Sequence, residues 1–299
     1  MIKKNSPQAW LLATRPKTLA ASATPVVIAW ALAYHDKNFQ WKPALICLLF
    51  ALIAQIISNF ANDYFDYKKG IDNEERLGPK RTVAEGWIAP KVMLSVTVVL
   101  LAMDLMLGLF LLHYGGWKLI LVGLLVAVFA FAYSGGPYPL AYHGWGDVCV
   151  FVFFGIIPVG FTYYVQTLQW NLPATICGMS AGLVIINILV ANNYRDRFSD
   201  AKSGKKTSIV LFGEKFGSWF YLLNGIIAVV GCQYFWLEKS AWAALLPFIY
   251  LVIHILTWKE MVSIHQGKAL IRTLEKSARN VLIFGLTLSV GLILRYPVK

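Results

Sequence analysis

Long apolar runs constrain this chain more than any other feature in it. A stretch of about 17–25 mostly apolar residues, coiled as an α-helix, matches the hydrocarbon thickness of a bilayer. Nine such stretches are found: Leu19–Tyr34, Pro43–Asn62, Val92–His113, Trp117–Tyr133, Gly146–Val165, Pro173–Tyr194, Trp219–Trp236, Ala241–Trp258 and Asn280–Tyr296. The first is the shortest and carries Pro25. Lipid offers no water to backbone N–H and C=O groups, so these segments must be helices. Charged residues make up 14% of the chain, against about 25% in a soluble one. The expectation is an all-α polytopic membrane protein, a bundle of nine transmembrane helices. Residues 1–299 form one domain, and residues 1–18 are its cytoplasmic or interfacial N-terminal segment.

Orientation follows from the basic residues. Of the 27 Lys and Arg, 21 lie in the N-terminal segment and the second, sixth and eighth connections. The remaining six are Lys37, Lys42, Lys118, Lys239, Arg295 and Lys299. Basic connections stay in the cytoplasm, which predicts an internal N-terminus and, with nine spans, an external C-terminus. The net charge of +12 then lies mostly on the cytoplasmic face, against anionic lipid. The bilayer is the partner this composition implies, and nothing in it calls for nucleic acid. The apolar stretch Ala9–Ala13 is too short for a signal-peptide core and is followed by Arg15 and Lys17, so no cleaved leader is expected. Pro7–Thr14 reads instead as a short interfacial helix with Trp10 at headgroup depth. Cys47, Cys149, Cys177 and Cys232 sit inside apolar runs with no CxxC spacing and read as packing residues.

Two spans end in acids. The second closes on "NDYFD" and the sixth on "NNYRDRFSD". Residues three or four apart share a helix face. Asn59, Asp63 and Asp66 form one stripe, with Asn62 beside it; Asn192, Asp196 and Asp200 form another. Both spans are even-numbered, so the stripes lie at the cytoplasmic end and can face one another. Acids at a helix C-terminus oppose the helix dipole by about 0.3–1 kcal/mol each, and unpaired carboxylates repel. Carboxylate and amide oxygens suit Mg²⁺, which is typically held together with substrate phosphates. Basic residues trail each motif: Lys68, Lys69, Arg76, Lys80 and Arg81 after the first, and Lys202, Lys205 and Lys206 after the second. The pattern fits a clamp for magnesium diphosphate.

The same residues carry a family resemblance. "NDYFDYKKGID" and "DRFSD" resemble the two acidic motifs of the UbiA-type intramembrane prenyltransferases, and "GKKT" (Gly204–Thr207) is similar to the Lys-Thr that follows the second. "RPKT" (Arg15–Thr18), "GIDNEERLGPKR" (Gly70–Arg81), "YSGGPYPLAYHGWGDVCVFVFFG" (Tyr133–Gly155) and "NNYRDRFSDAKSGKKT" (Asn192–Thr207) resemble the naphthoate branch. Asp72 follows Asp66 by six residues, a longer step than in many members, and one the naphthoate branch shares.

The resemblance implies a polyprenyl chain passed from an isoprenoid diphosphate to 1,4-dihydroxy-2-naphthoate, with loss of CO₂ and diphosphate, giving demethylmenaquinone. An allylic carbocation carries the transfer at the cytoplasmic face of a bacterial inner membrane. It implies Mg²⁺ at Asn62, Asp63, Asp66, Asp72, Asn192, Asp196 and Asp200, the aspartates Asp63, Asp66, Asp196 and Asp200 being catalytic. Lys68, Arg81 and Lys206 are the diphosphate-binding candidates. Aromatic faces stabilise a cation, and Tyr133 is the first choice. The acceptor's carboxylate wants a cation, Arg15 or alternatively Lys17, and His143 is a candidate for assisting proton removal. Two alternatives are a 4-hydroxybenzoate or homogentisate prenyltransferase and, more distantly, a transporter, whose site would lie near the midplane. Asp104 and His254, inside spans, match no motif; an ionisable group at that depth is expected to face the bundle.

Overall fold

The computed structural model describes residues 2–68, 70, 80–134 and 138–294. Asp72 and Arg76, with residues 135–137 and 295–299, lie outside the described residues.

The chain opens with α1 (Pro7–Thr14), whose start is set by Pro7 and by Ser6, whose Oγ accepts from the Ala9 N–H at 3.3 Å. Arg15 adopts the left-handed conformation (φ 50°, ψ 69°), ending α1, and Pro16 opens α2 (Pro16–His35). The hydrophobic runs then form α3 (Trp41–Lys68), α4 (Pro90–Gly115), α5 (Lys118–Ser134), α6 (Gly146–Thr167), α7 (Leu172–Lys202), α8 (Ser208–Phe212), α9 (Glu214–Trp236), α10 (Ala241–Ile264) and α11 (Leu270–Ile293). Among the described residues, eight of these helices are long and apolar enough to cross a membrane. The stretch expected as a further span is α5, 17 residues long, or roughly 25 Å at 1.5 Å per residue.

The central packing joins α2, α6, α7, α9, α10 and α11 through Ile28, Val159, Val184, Val229, Tyr250 and Phe284. Where α6 meets α7 the backbones touch. Residues Val152–Ile156 form a π-helical turn, which brings Gly155 against Gly178 and Gly182. A Cβ on Gly155 would lie 2.4 Å from the Gly182 Cα. Small residues permit this approach in lipid, where dispersion contacts replace the hydrophobic effect between helices. α4 keeps a broad apolar face outward, including Val98, Leu105 and Leu109. Asp104 is among the few buried residues of that helix, facing the bundle as expected. All four cysteines are free and buried.

His254 also has a structural account. Its ring lies between Tyr221 and Tyr250, stacked on both, with Nε2 at 3.1 Å from the Tyr221 carbonyl oxygen. Gly225 makes room, since a Cβ there would come 2.2 Å from the ring. The histidine clamps α10 to α9.

α3 and α7 hold the acidic motifs. With 28 and 31 residues they run roughly 42 and 46 Å, well beyond a hydrocarbon core of about 30 Å. Both continue through their acids, so Asp63, Asp66, Asp196 and Asp200 are helical residues on fixed faces.

Candidate active site

Among the described residues each motif acid meets a donor from the chain itself. Asp63 is 2% exposed, and its Oδ2 accepts from the Thr82 backbone N–H at 3.1 Å and the Thr82 hydroxyl at 2.6 Å. Asp66 receives the Arg81 guanidinium at 2.6 Å. The chain leaving α3 thus turns back onto the motif. Asn59, on the same stripe, donates instead to the Thr14 carbonyl oxygen (2.9 Å) and the Thr18 hydroxyl (3.1 Å). That fastens the turn containing Arg15 against the first motif.

In α7 the buried Arg195 donates to both carboxylate oxygens of Asp196, at 2.7 and 2.6 Å, and to the Asn192 amide oxygen at 2.8 Å. Asp200 pairs with Lys205 at 3.4 Å. Arg197 points the other way. It lies over the rings of Tyr194 and Phe198 and bonds Glu214 at 3.0 Å, joining α7 to α9.

Tyr142 lies near carboxylates of both motifs. Its loop is held to the segment after α7 by the Lys206 N–H, which donates to the Tyr142 carbonyl oxygen at 2.9 Å. Burial pushes the Tyr142 phenol above its usual pKa, and the nearby carboxylates of Asp66 and Asp200 push it further. One phenol therefore feels an acid from each motif. Tyr142 and Arg195 lie within the recognised motifs, but which carboxylates they and Thr82 meet is set only by the folded chain.

The other expected site residues are distributed around this centre. Tyr133, in the last turn of α5, lines a small cavity together with Asn193 and Lys205. Lys206 is exposed and without a side-chain partner among the described residues. Lys68 lies over the Tyr64 ring at 5.7 Å. Lys17 is exposed and paired with Glu275 of α11 at 2.6 Å. His143 stacks on Tyr138, and its Nδ1 is 2.8 Å from the Pro139 carbonyl oxygen. That bond puts the proton on Nδ1 of the neutral ring, leaving Nε2 as its basic nitrogen.

Among the described residues no three His, Cys, Asp or Glu side chains stand close enough to hold a metal together. The donor set nonetheless fits a hard cation that shares its coordination with phosphate. Asn62, Asp63, Asp66, Asn192, Asp196 and Asp200 offer only oxygen ligands or amides, and Asp63 Oδ1 is buried without a hydrogen-bond donor.

The model of the UbiA prenyltransferase family matches residues 22–273. This chain belongs to that family. Among curated relatives, the 1,4-dihydroxy-2-naphthoate octaprenyltransferase of Escherichia coli (strain K12) is 39% identical over 220 residues, 69% of each chain. The protein so named in Haemophilus influenzae is 35% identical over 222 residues, 72% of each chain. The one in Bacillus subtilis is 28% identical over 293 residues, 96% of this chain and 92% of its own. A solved structure from work on digeranylgeranylglyceryl phosphate synthase in membranes superposes with a TM-score of 0.61 at 19% identity, covering 96% of this chain and 98% of that one. It shows the same fold. Among the described residues the regular elements are all helical, and an isoprenoid diphosphate donor with an aromatic acceptor is the substrate pair this family implies.

Proposed function

We propose that this UbiA-family protein transfers a polyprenyl chain to 1,4-dihydroxy-2-naphthoate, releasing diphosphate and CO₂ and forming the quinol of demethylmenaquinone. The relatives named for that acceptor support the choice. The observation that supports the chemistry is that both acidic helix ends have their carboxylates fixed by donors of the chain itself, Asp63 by Thr82, Asp66 by Arg81 and Asp196 by Arg195.

Asn62, Asp63, Asp66, Asn192, Asp196 and Asp200 would hold Mg²⁺ with the diphosphate, and Asp72 is assigned to the same set. The bound metal would neutralise charge developing on the leaving group. Arg81, Lys68 and Lys206 add positive charge to that side, and the exposed ammonium of Lys206 is free to move to an incoming anion. Thr82 and Arg195 fix the carboxylates before substrate arrives, so little reorganisation remains in the transition state.

Carbon–oxygen cleavage gives an allylic cation, which must be kept from water. The apolar bundle does this, and Tyr133 presents an aromatic face. Arg15, held at the hinge between α1 and α2 beside the first motif, is assigned to the acceptor's carboxylate, with Lys17 the alternative. His143 Nε2 is available for proton transfer. The nine-span count, the cytoplasmic N-terminus, the external C-terminus and a site at the cytoplasmic face of a bacterial inner membrane belong to the same proposal. The span count rests on the apolar runs, and the orientation on the distribution of basic residues.

The test is mutational. Asp63→Ala and Asp196→Ala should each abolish prenyl transfer while the purified protein stays monodisperse in detergent. Near-normal turnover by either variant refutes the clamp.

A further inference from the structure

A second polar feature borders the acidic motifs. Asp147, at the start of α6, is 8% exposed, and its Oδ1 has no hydrogen-bond partner among the described residues. An acid in the first helical turn is ordinary when it faces water and the helix dipole. This one is buried with half its carboxylate unsatisfied, an arrangement that is costly unless something donates to it.

Asn193 (4% exposed) shares its surroundings, its Oδ1 buried and without a partner among the described residues, and the buried Ser208 hydroxyl (7% exposed) lies within reach of the Asp147 carboxylate. All three side chains line one cavity of about 20 Å³, together with Tyr133 and Lys205. That space is enough for a small polar group such as a hydroxyl or a water. Asp147 Oδ1 and Asn193 Oδ1 are both acceptors, so the occupant must donate, a hydroxyl to one of them. Lys205 faces both this cavity and Asp200, which sets the cavity at the edge of the diphosphate side. Asn193 adjoins Asn192 in the second motif.

We propose that this cavity seats a hydroxyl of the aromatic acceptor and that Asp147 takes its proton as the ring attacks. The inference rests on the prenyl-transfer reading above and adds its base. The hydroxyl is the one next to the reacting ring carbon. Its O–H pair becomes the carbonyl π bond, and the proton passes to the Asp147 carboxylate. A ring π pair forms the new carbon–carbon bond, and the C–O pair leaves with diphosphate. The reacting ring carbon then loses its carboxylate as CO₂, that C–C pair rebuilds the ring π bond, the carbonyl π pair returns to oxygen, and Asp147 gives the proton back to it. The Ser208 hydroxyl donates to the same oxygen and holds it in line. Tyr133 Oη, which lies against Gly146 at the mouth of α6, borders the same oxygen.

The experiment compares wild type with Asp147→Asn, which keeps shape and polarity but cannot take the proton, and with Asp147→Glu. Steady-state transfer to 1,4-dihydroxy-2-naphthoate is measured alongside binding of a non-cleavable prenyl thiodiphosphate with Mg²⁺. Asp147→Asn should lower kcat roughly 10²–10³-fold, the range of general-base catalysis. Donor binding should be unchanged, and Asp147→Glu should recover part of the loss. Ser208→Ala, a milder change, should raise the acceptor KM several-fold and leave the donor KM alone. Asp147→Asn within threefold of wild type overturns the proposal, the cavity then holding a buried water. If Asp147→Asn does not fold, an unchanged acceptor KM in Ser208→Ala does the same. Wild-type turnover of the naphthoate reports separately on the function itself. If another hydroxylated ring is the acceptor, the same ratios are read with that ring.

Discussion

Arg195 carries more of the second motif's geometry than any other side chain, and replacing it tests that weight. It is 4% exposed and makes three charge-assisted hydrogen bonds, two to Asp196 and one to Asn192, at 2.6–2.8 Å. Breaking a fully buried ion pair from one side costs about 3–5 kcal/mol. The Asp196 side chain is 20% exposed and regains some water, so Arg195→Met is expected to cost about 2–3 kcal/mol. At roughly 2–4 °C per kcal/mol for chains of about this size, the melting midpoint should fall by about 5–10 °C. The buried thiols provide the assay. Cys47, Cys149, Cys177 and Cys232 are free and shielded, so a thiol-reactive fluorophore reports their exposure as the detergent-solubilised protein unfolds. Arg195→Met should cost clearly less in an Asp196→Asn background, with a coupling of about 1–2 kcal/mol. Arg195→Lys keeps the charge, loses the fork, and should fall between. An Arg195→Met midpoint within 1 °C of wild type, or no coupling in the double mutant, refutes the view that this pair organises the motif.

Gly155→Ala should sharply reduce the yield of folded protein, because its Cβ would meet the Gly182 backbone at 2.4 Å and neither helix can yield; overpacking of this kind costs about 1–3 kcal/mol or more, and normal yield and melting would contradict it. At the opposite end of the bundle, burial raises the pKa of Asp36, but hydrogen bonds from His35, Tyr163 and Asn171 more than reverse this and hold it below the usual carboxylate value. A depressed carboxylate stabilises the fold above its unfolded pKa and loses that contribution as pH falls through the folded value. The melting gap between wild type and Asp36→Asn should therefore be full at pH 6 and close below about pH 4; a gap independent of pH contradicts it.

The helices were legible because lipid demands apolar runs of a set length, and the acids ending α3 and α7 were legible because they break those runs. Their partners were not. Arg81 returns onto Asp66 across 15 residues and Lys17 onto Glu275 across 258, contacts fixed by loop closure and helix packing rather than by periodicity. The π-helical turn at Val152–Ile156 is hidden in a uniform apolar run, and only the glycines facing it hint at the backbone contact. Tyr142 and Asp147 stood inside a stretch that was recognised as a motif, yet their roles depend on which carboxylate or cavity the folded loop brings near. His254 read as an unexplained polar residue until its two tyrosine neighbours and Gly225 were in place.

The most direct measurement is product mass from purified protein given a polyprenyl diphosphate, Mg²⁺ and a panel of acceptors: 1,4-dihydroxy-2-naphthoate, 4-hydroxybenzoate and homogentisate. The account predicts a prenylated, decarboxylated naphthoquinol as the main product, abolished by EDTA and restored by Mg²⁺. Transfer only to 4-hydroxybenzoate or homogentisate, or transfer to the naphthoate that persists undiminished in EDTA, would contradict it.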